Sequence, residues 1–205
     1  MSPRDEGVIK YSCDWEIAPP LDLQLLQPLI TWRDRLWQEG LIGVYPDGIG
    51  YGNISTKCPD GTFLITGSQT GHLPQTNPNH YTTVDAWHIA HNSLHCRGAI
   101  KASSESLTHA ALYDYSPAIQ AIVHIHNRQL WEHYQNILPT TAATVPYGTP
   151  QMAAEMWRLM KASDLLTQKI LIMAGHEEGI ITFGATLEEA VEILLSHRLD
   201  HKGKI

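Results

Sequence analysis

The sequence predicts an α/β fold in which helices flank a largely antiparallel sheet. Three observations carry that reading. Stretches with apolar residues at helical spacing alternate with short, β-branched apolar runs. The alternation is irregular, without the strict βαβ rhythm that a parallel sheet imposes. Several runs are separated by turn signals, at Pro46-Asp47-Gly48 and Pro59-Asp60-Gly61, or by a Gly-flanked tip at Gly175–Gly179.

The elements follow in order. Residues 1–20 read as an irregular arm ending in Pro19-Pro20, ahead of one domain that takes in the rest of the 205-residue chain. From Leu21 to Gly40 the spacing of Leu25, Leu26, Leu29, Trp32, Leu36 and Trp37 is helical, with Gly40 as the stop. Residues 41–66 read as short strands. The last of these, Thr62–Thr66, runs into the loop Gly67-Ser68-Gln69-Thr70-Gly71. Residues 72–82 read as loop, and 83–97 fit strand and irregular chain equally. Ser104–Tyr115 reads as a helix stopped by Pro117, and Ala121–His126 as a buried strand. A helix over 127–135, a Thr- and Pro-rich connection over 139–149, and a helix from Thr149 to Met160 follow, the last with Pro150 in its first turn. Ile170–Met173 and Ile180–Phe183 are strands, and Leu187–Leu199 is a closing helix with acidic residues near its start.

Composition narrows the function classes. The net charge is −7 and no Lys/Arg run occurs, which excludes a basic footprint for nucleic acid or for an anionic membrane surface. No stretch reaches the roughly 20 apolar residues of a membrane span. The N-terminus lacks a signal-type apolar core. The three cysteines are separated in sequence and form no CxxC pair, as in a reduced protein; the cytoplasm is the expected compartment. Twelve histidines are many for this length, and His72, His80, His95, His197 and His201 read as solvated.

The most informative stretch is Ala121-Ile122-Val123-His124-Ile125-His126. In a strand, residues two apart share a face, so His124 and His126 project side by side while Val123 and Ile125 project oppositely. Two such imidazoles make a ready pair of metal ligands; alternatively they are core histidines bonded to carbonyls. A catalytic metal takes a third protein ligand, and His176 in Gly-His-Glu-Glu-Gly is the candidate, its other reading being a hairpin-tip residue. Ser103-Ser104-Glu105 opens a helix. It is either an ordinary helix start with a serine cap or an anion cradle with Glu105 in reach of the metal. His109, one turn on, is a ligand, a partner of a ligand, or a packing residue. Gly50–Ser55 and Gly67–Gly71 are plain turns or phosphate-facing loops, and neither matches a P-loop.

Taken in order, GNIS at 52–55, the TG-containing loop at 66–71, SSE at 103–105, HxH at 124–126, PYGT at 146–149, His176 and FGATLEEA at 183–190 resemble the class II aldolase/adducin family. The resemblance spans about residues 25–200. It implies a three-layer α/β/α fold around a largely antiparallel sheet. It implies that His124, His126 and His176 bind one divalent metal per subunit, zinc first, with Mn, Fe, Co or Ni also compatible. Glu105 would bind the metal at rest and act as acid/base. Gly52, Asn53, Thr70, Gly71, Ser103 and Ser104 would hold a substrate phosphate. The implied activity is that of an aldolase-type lyase on a small sugar phosphate or related hydroxy-carbonyl compound, through a metal-stabilised enediolate. Dehydratase, 4-epimerase and non-catalytic adducin-like members are the alternatives. The implied assembly is a homotetramer with active sites at its interfaces. Two loops depart from the family pattern. ITGSQTG is two residues longer than the usual ITPTG, which leaves Thr66-Gly67 as the rival to Thr70-Gly71, and GHEEG replaces Asn-His-Gly. The family's catalytic tyrosine has no motif match.

Overall fold

The computed structural model describes residues 7–202. Its elements, in chain order, are β1 (Ser12–Ile17), α1 (Leu23–Gln38), β2 (Gly43–Val44), β3 (Gly50–Tyr51), β4 (Asn53–Lys57), β5 (Phe63–Thr66), β6 (Tyr81–His88), β7 (Ser93–Gly98), α2 (Ser106–Tyr115), β8 (Ala121–His126), α3 (Arg128–Tyr134), α4 (Pro150–Ala162), α5 (Leu165–Gln168), β9 (Ile170–Ile172), β10 (Gly179–Gly184) and α6 (Leu187–Lys202). Eight strands form one sheet in the order β1-β7-β6-β5-β4-β8-β10-β9. Every pairing in it is antiparallel except β1 with β7. β2 and β3 form a separate small ribbon.

Alternation along the strands divides the core into two layers. Ile122, Ile181, Phe183, Phe63 and Ile65 pack with Leu107, Ala111, Met152 and Met156 from α2 and α4. Val123, Ile125, Ile180 and Leu64 pack on the other face with Leu26, Leu29 and Leu36 of α1, Leu130 of α3 and Val191 and Leu194 of α6. The predicted three-layer arrangement follows directly: β5, β8, β9 and β10 bury both faces, and each face of the sheet has its own helices.

Four local expectations need correction. The arm read as irregular over 1–20 contains β1, an edge strand whose Cys13 and Trp15 pack on the core; residues 1–6 lie outside the described residues. Its alternation is short, and its partner β7 lies about eighty residues away, so nothing local announces it. The 83–97 segment is two strands, with a register shift between Val84 and Ala86 that breaks the period of two. Leu25, placed on the apolar stripe of α1, is 54% exposed, whereas Arg33 on that stripe is fully buried. Among the histidines read as solvated, His72 is exposed, while His80, His95 and His197 are half-buried; the side chain of His201 is outside the described residues. His95 is bound to Asp85 at 2.5 Å.

Candidate metal centre and anion cradle

β8 lies between β4 and β10, with His124 opposite Asn53 on one side and Ile181 on the other, and His126 opposite Gly179. His124 and His126 project to the α2/α4 face, as the period of two requires. His176 arrives from the turn joining β9 to β10. Its N–H donates to the carbonyl of Met173 at 3.0 Å, and its own carbonyl accepts from Gly179 at 2.9 Å. Gly179 matters for what it lacks: a Cβ there would stand 3.3 Å from His124 Nε2 and 3.0 Å from the His176 carbonyl.

One ligand nitrogen from each of His124, His126 and His176 lies within 4.8 Å of the others, and all three residues are buried. His124 Nε2 is buried and has no hydrogen-bond partner among the described residues. A polar atom of that kind is costly unless something occupies it. Burial, and then the neighbouring His126 and His176, hold the His124 pKa well below its ordinary value, so the ring is neutral, the form that binds metal. Its Nδ1 meets the Asn53 amide at 3.1 Å. It is the amide nitrogen that faces Nδ1; turning the Asn53 amide by 180° would put its oxygen there, leaving Nδ1 its proton and Nε2 its lone pair. A buried set of three imidazole nitrogens fits a divalent transition metal.

Glu105 comes from the start of α2. Glu105 occupies the N-cap position and makes no side-chain cap bond, while Ser103 Oγ accepts from the Glu105 N–H at 3.4 Å. Its carboxylate instead stands 3.7 Å from His176 Nδ1, 1% exposed. Ser103 and Ser104 precede it, both buried. His109, one turn along α2, is fully buried and lies outside the three-histidine cluster. Its Nδ1 is 2.7 Å from Ser55 Oγ, which is 2.7 Å from the Tyr113 hydroxyl. Burial lowers its pKa to about 3, and its Nε2 has no partner among the described residues.

Gly52, Asn53, Thr70, Gly71, Ser103 and Ser104 line one polar, open cavity, together with Gly7, Gly50 and residues 67–69. Of the rival alignments, Thr70-Gly71 places both its residues there. Thr66 instead spends its hydroxyl on the Ile54 N–H at 3.2 Å, although Gly67 does reach the lining. Gly71 is packed so closely that a Cβ would meet the Gly43 carbonyl at 2.1 Å.

Several residues of the site have no counterpart among the sequence candidates. Arg33 Nη2 donates to the Thr70 carbonyl at 2.7 Å, its Nη1 donates to that of Leu73, and Trp37 Nε1 donates to that of Gly71 at 3.1 Å. The signal for Arg33 was a cation on an otherwise apolar helical stripe. Tyr147, within the PYGT motif, stacks on His176 with ring centroids 4.5 Å apart. Tyr45, after the β2/β3 ribbon begins, bonds His126, and no local signal marks it. The acidic pair of GHEEG does not face the cavity bare, since Arg128 reaches Glu177 at 2.6 Å and Glu178 at 2.8 Å.

This arrangement can be set beside known proteins. The model of the Class II Aldolase and Adducin N-terminal domain matches residues 47–197. The chain belongs to the class II aldolase/adducin family. A family relative, 3-oxo-tetronate 4-phosphate decarboxylase of Haemophilus influenzae, is 27% identical over 165 residues, covering 70% of this chain and 71% of that protein. Methylthioribulose-1-phosphate dehydratase of Gluconobacter oxydans is 37% identical over 78 residues, covering 37% of this chain and 34% of its own length; the match thus spans about a third of that enzyme. A solved L-fuculose 1-phosphate aldolase superposes with a TM-score of 0.66 at 20% identity, over 89% of this chain and 85% of its own, a likeness of fold. The class II aldolase family includes aldolase, decarboxylase and dehydratase members. No helix among the described residues is long and apolar enough to cross a membrane.

Proposed function

We propose that this protein is a divalent-metal-dependent lyase of aldolase type, acting on a small sugar phosphate or related hydroxy-carbonyl compound. The observation that carries the proposal is the convergence of His124, His126 and His176 beside Glu105, with Asn53, which meets His124, and Ser104, which precedes Glu105, in the lining of a polar cavity. The three histidines would hold the metal, most simply zinc, which supplies Lewis-acid stabilisation of the oxyanion that develops beside a carbonyl when a C–C bond breaks or a proton leaves. Glu105 moves the proton at the carbon next to that carbonyl, from a position its backbone fixes at the head of α2. Gly52, Asn53, Thr70, Gly71, Ser103 and Ser104 bind the phosphate and so orient the reacting carbon. Loss of water or of CO2 is the second reading. It is favoured by the decarboxylase and dehydratase relatives, whose names describe phosphorylated compounds. A homotetramer with interfacial sites and a cytoplasmic location complete the proposal.

Elemental analysis and a panel of ketose phosphates and phosphorylated 3-oxo acids test it. Bound metal, with turnover lost in Glu105→Gln and metal retained, is the expected result. No bound metal and no rescue by added Zn, Mn, Fe, Co or Ni would instead favour a non-catalytic, adducin-like role. Unchanged turnover in Glu105→Gln would remove the glutamate from the chemistry. Product analysis separates aldol cleavage from dehydration, epimerisation and decarboxylation.

A further inference from the structure

We infer that Tyr45 and Glu178 are positioning residues that set the tautomer of His126 for metal binding, and that the acidic insertion after His176 exists to supply Glu178. The inference rests on the reading of the three histidines as a metal centre.

Proton accounting leads there. Tyr45 Oη lies 2.8 Å from Glu178 Oε2 and 2.8 Å from His126 Nδ1. Glu178 is ion-paired to Arg128 at 2.8 Å, and a carboxylate in such a pair accepts hydrogen bonds without donating them. The phenol proton therefore goes to Glu178. The phenol oxygen is left as an acceptor, and a hydrogen bond over the 2.8 Å to His126 then takes its proton from Nδ1–H. With Nδ1 committed, the ligating nitrogen of His126 is Nε2. The order Arg128–Glu178–Tyr45–His126 thus holds an acceptor oxygen behind a ligand through one hydroxyl, which keeps the proton on Nδ1 and fixes the ring. Tyr45 also lies edge-on to His126 at 6.0 Å between centroids, while Tyr51 lies 5.4 Å away, so the ring is restrained by packing as well.

A second observation is independent of these hydrogen bonds. Glu178 has φ +69°, in the left-handed region that favours glycine. Glycine stands at the next position, 179, and would suit 178 better. Its carbonyl accepts from the Asn127 N–H at 3.0 Å, which ties the turn to the end of β8, next to His126. A bulky residue is held in an unfavourable backbone conformation at a place where its carboxylate serves a ligand, a pattern expected of a functional constraint.

The test uses the full chain, stripped of metal, with Zn2+ affinity measured by competition against a chromophoric chelator. Tyr45→Phe should weaken Zn2+ binding by about 10- to 100-fold. Glu178→Gly should weaken it by about tenfold or more, while the thermal midpoint of the metal-free protein stays level or rises, because glycine relieves the left-handed backbone. Glu178→Gln keeps an acceptor oxygen and should retain most of the affinity. The visible spectrum of the Co2+-loaded protein should shift in Tyr45→Phe and stay near wild type in Glu178→Gln. Wild-type affinity in both Tyr45→Phe and Glu178→Gly would overturn the inference, as would a Glu178→Gln protein as weak as Glu178→Gly. Failure of the unmutated protein to bind any divalent metal would instead overturn the underlying reading of the site.

Discussion

His109 gives the sharpest quantitative prediction. It is fully buried on α2, and burial lowers its pKa from 6.5 to about 3. In the unfolded chain the ring takes up a proton near its ordinary pKa; in the fold it does not. Between those two values the unfolded state binds more protons, so stability falls as pH falls from about 6.5 towards 3 and is flat above. At pH 5 the loss attributable to this one ring is about 2 kcal/mol, rising to about 5 kcal/mol once the folded-state value is passed. His109→Asn keeps a group near Nδ1 for Ser55 and removes the titration. The smaller side chain also leaves a gap, but that cost is independent of pH and cancels when each protein is compared with itself. His124 is likewise neutral in both folded proteins, so its contribution cancels too. Urea titrations followed by tryptophan fluorescence, with chelator present at pH 7.5 and 5.0, read the difference directly. The variant should lose about 2 kcal/mol less than the wild type over that range. Equal losses in the two proteins would refute the picture of a neutral, unsolvated His109.

Other expectations concern the loops and the metal. Arg33→Met leaves the Thr70 and Leu73 carbonyls without their donor, and should cost about 1–3 kcal/mol in urea stability. It should also weaken protection of the fold by inorganic phosphate. Gly71→Ala drives a Cβ against the Gly43 carbonyl and should cost about 1–3 kcal/mol, with the same loss of phosphate protection. Gly179→Ala places a methyl 3.3 Å from His124 Nε2, and should lower Zn2+ affinity in a chelator competition. Stripping the metal from protein held at a hundredfold excess over its dissociation constant should remove about 2.7 kcal/mol, lowering the thermal midpoint by about 5–11 °C, reversed on re-addition.

What the sequence disclosed was local, and what it concealed was not. β8 was legible because six consecutive residues carry both the strand signal and its alternation, and every one is buried. The same period of two put both histidines on one face without any knowledge of the partners. β6 and β7 blurred because the register shift at Val84/Ala86 inverts the alternation part-way along a strand. β1 escaped because an edge strand gives up only half its surface, and its parallel partner is distant in the chain. Cys13 and Cys96 looked unrelated for the same reason, yet their sulfurs are 3.6 Å apart across that pairing. In the site, Tyr45 meets His126 across 81 positions and Glu178 across 133, distances at which neither spacing nor propensity carries information.

The two loops that depart from the family pattern are built on one principle. The longer ITGSQTG loop could have turned its carbonyls into the cavity and repelled an anion. Arg33 and Trp37 draw the carbonyls of Thr70, Gly71 and Leu73 towards α1 instead. In a trans peptide the N–H points opposite to the carbonyl, so the N–H groups following Thr70 and Gly71 are turned away from α1. The GHEEG turn could likewise have set two negative charges beside the substrate, but Arg128 takes both carboxylates and Tyr45 takes the nearer one. In each case an arginine outside the cavity lining absorbs the acceptors that the insertion brings. The cavity is left lined by glycines, hydroxyls and amides, with no Lys, Arg, Asp or Glu among its described residues. If the cavity binds an anion as proposed, it would do so by directed N–H and O–H groups, and its selectivity would rest on the shape of the anion more than on its charge.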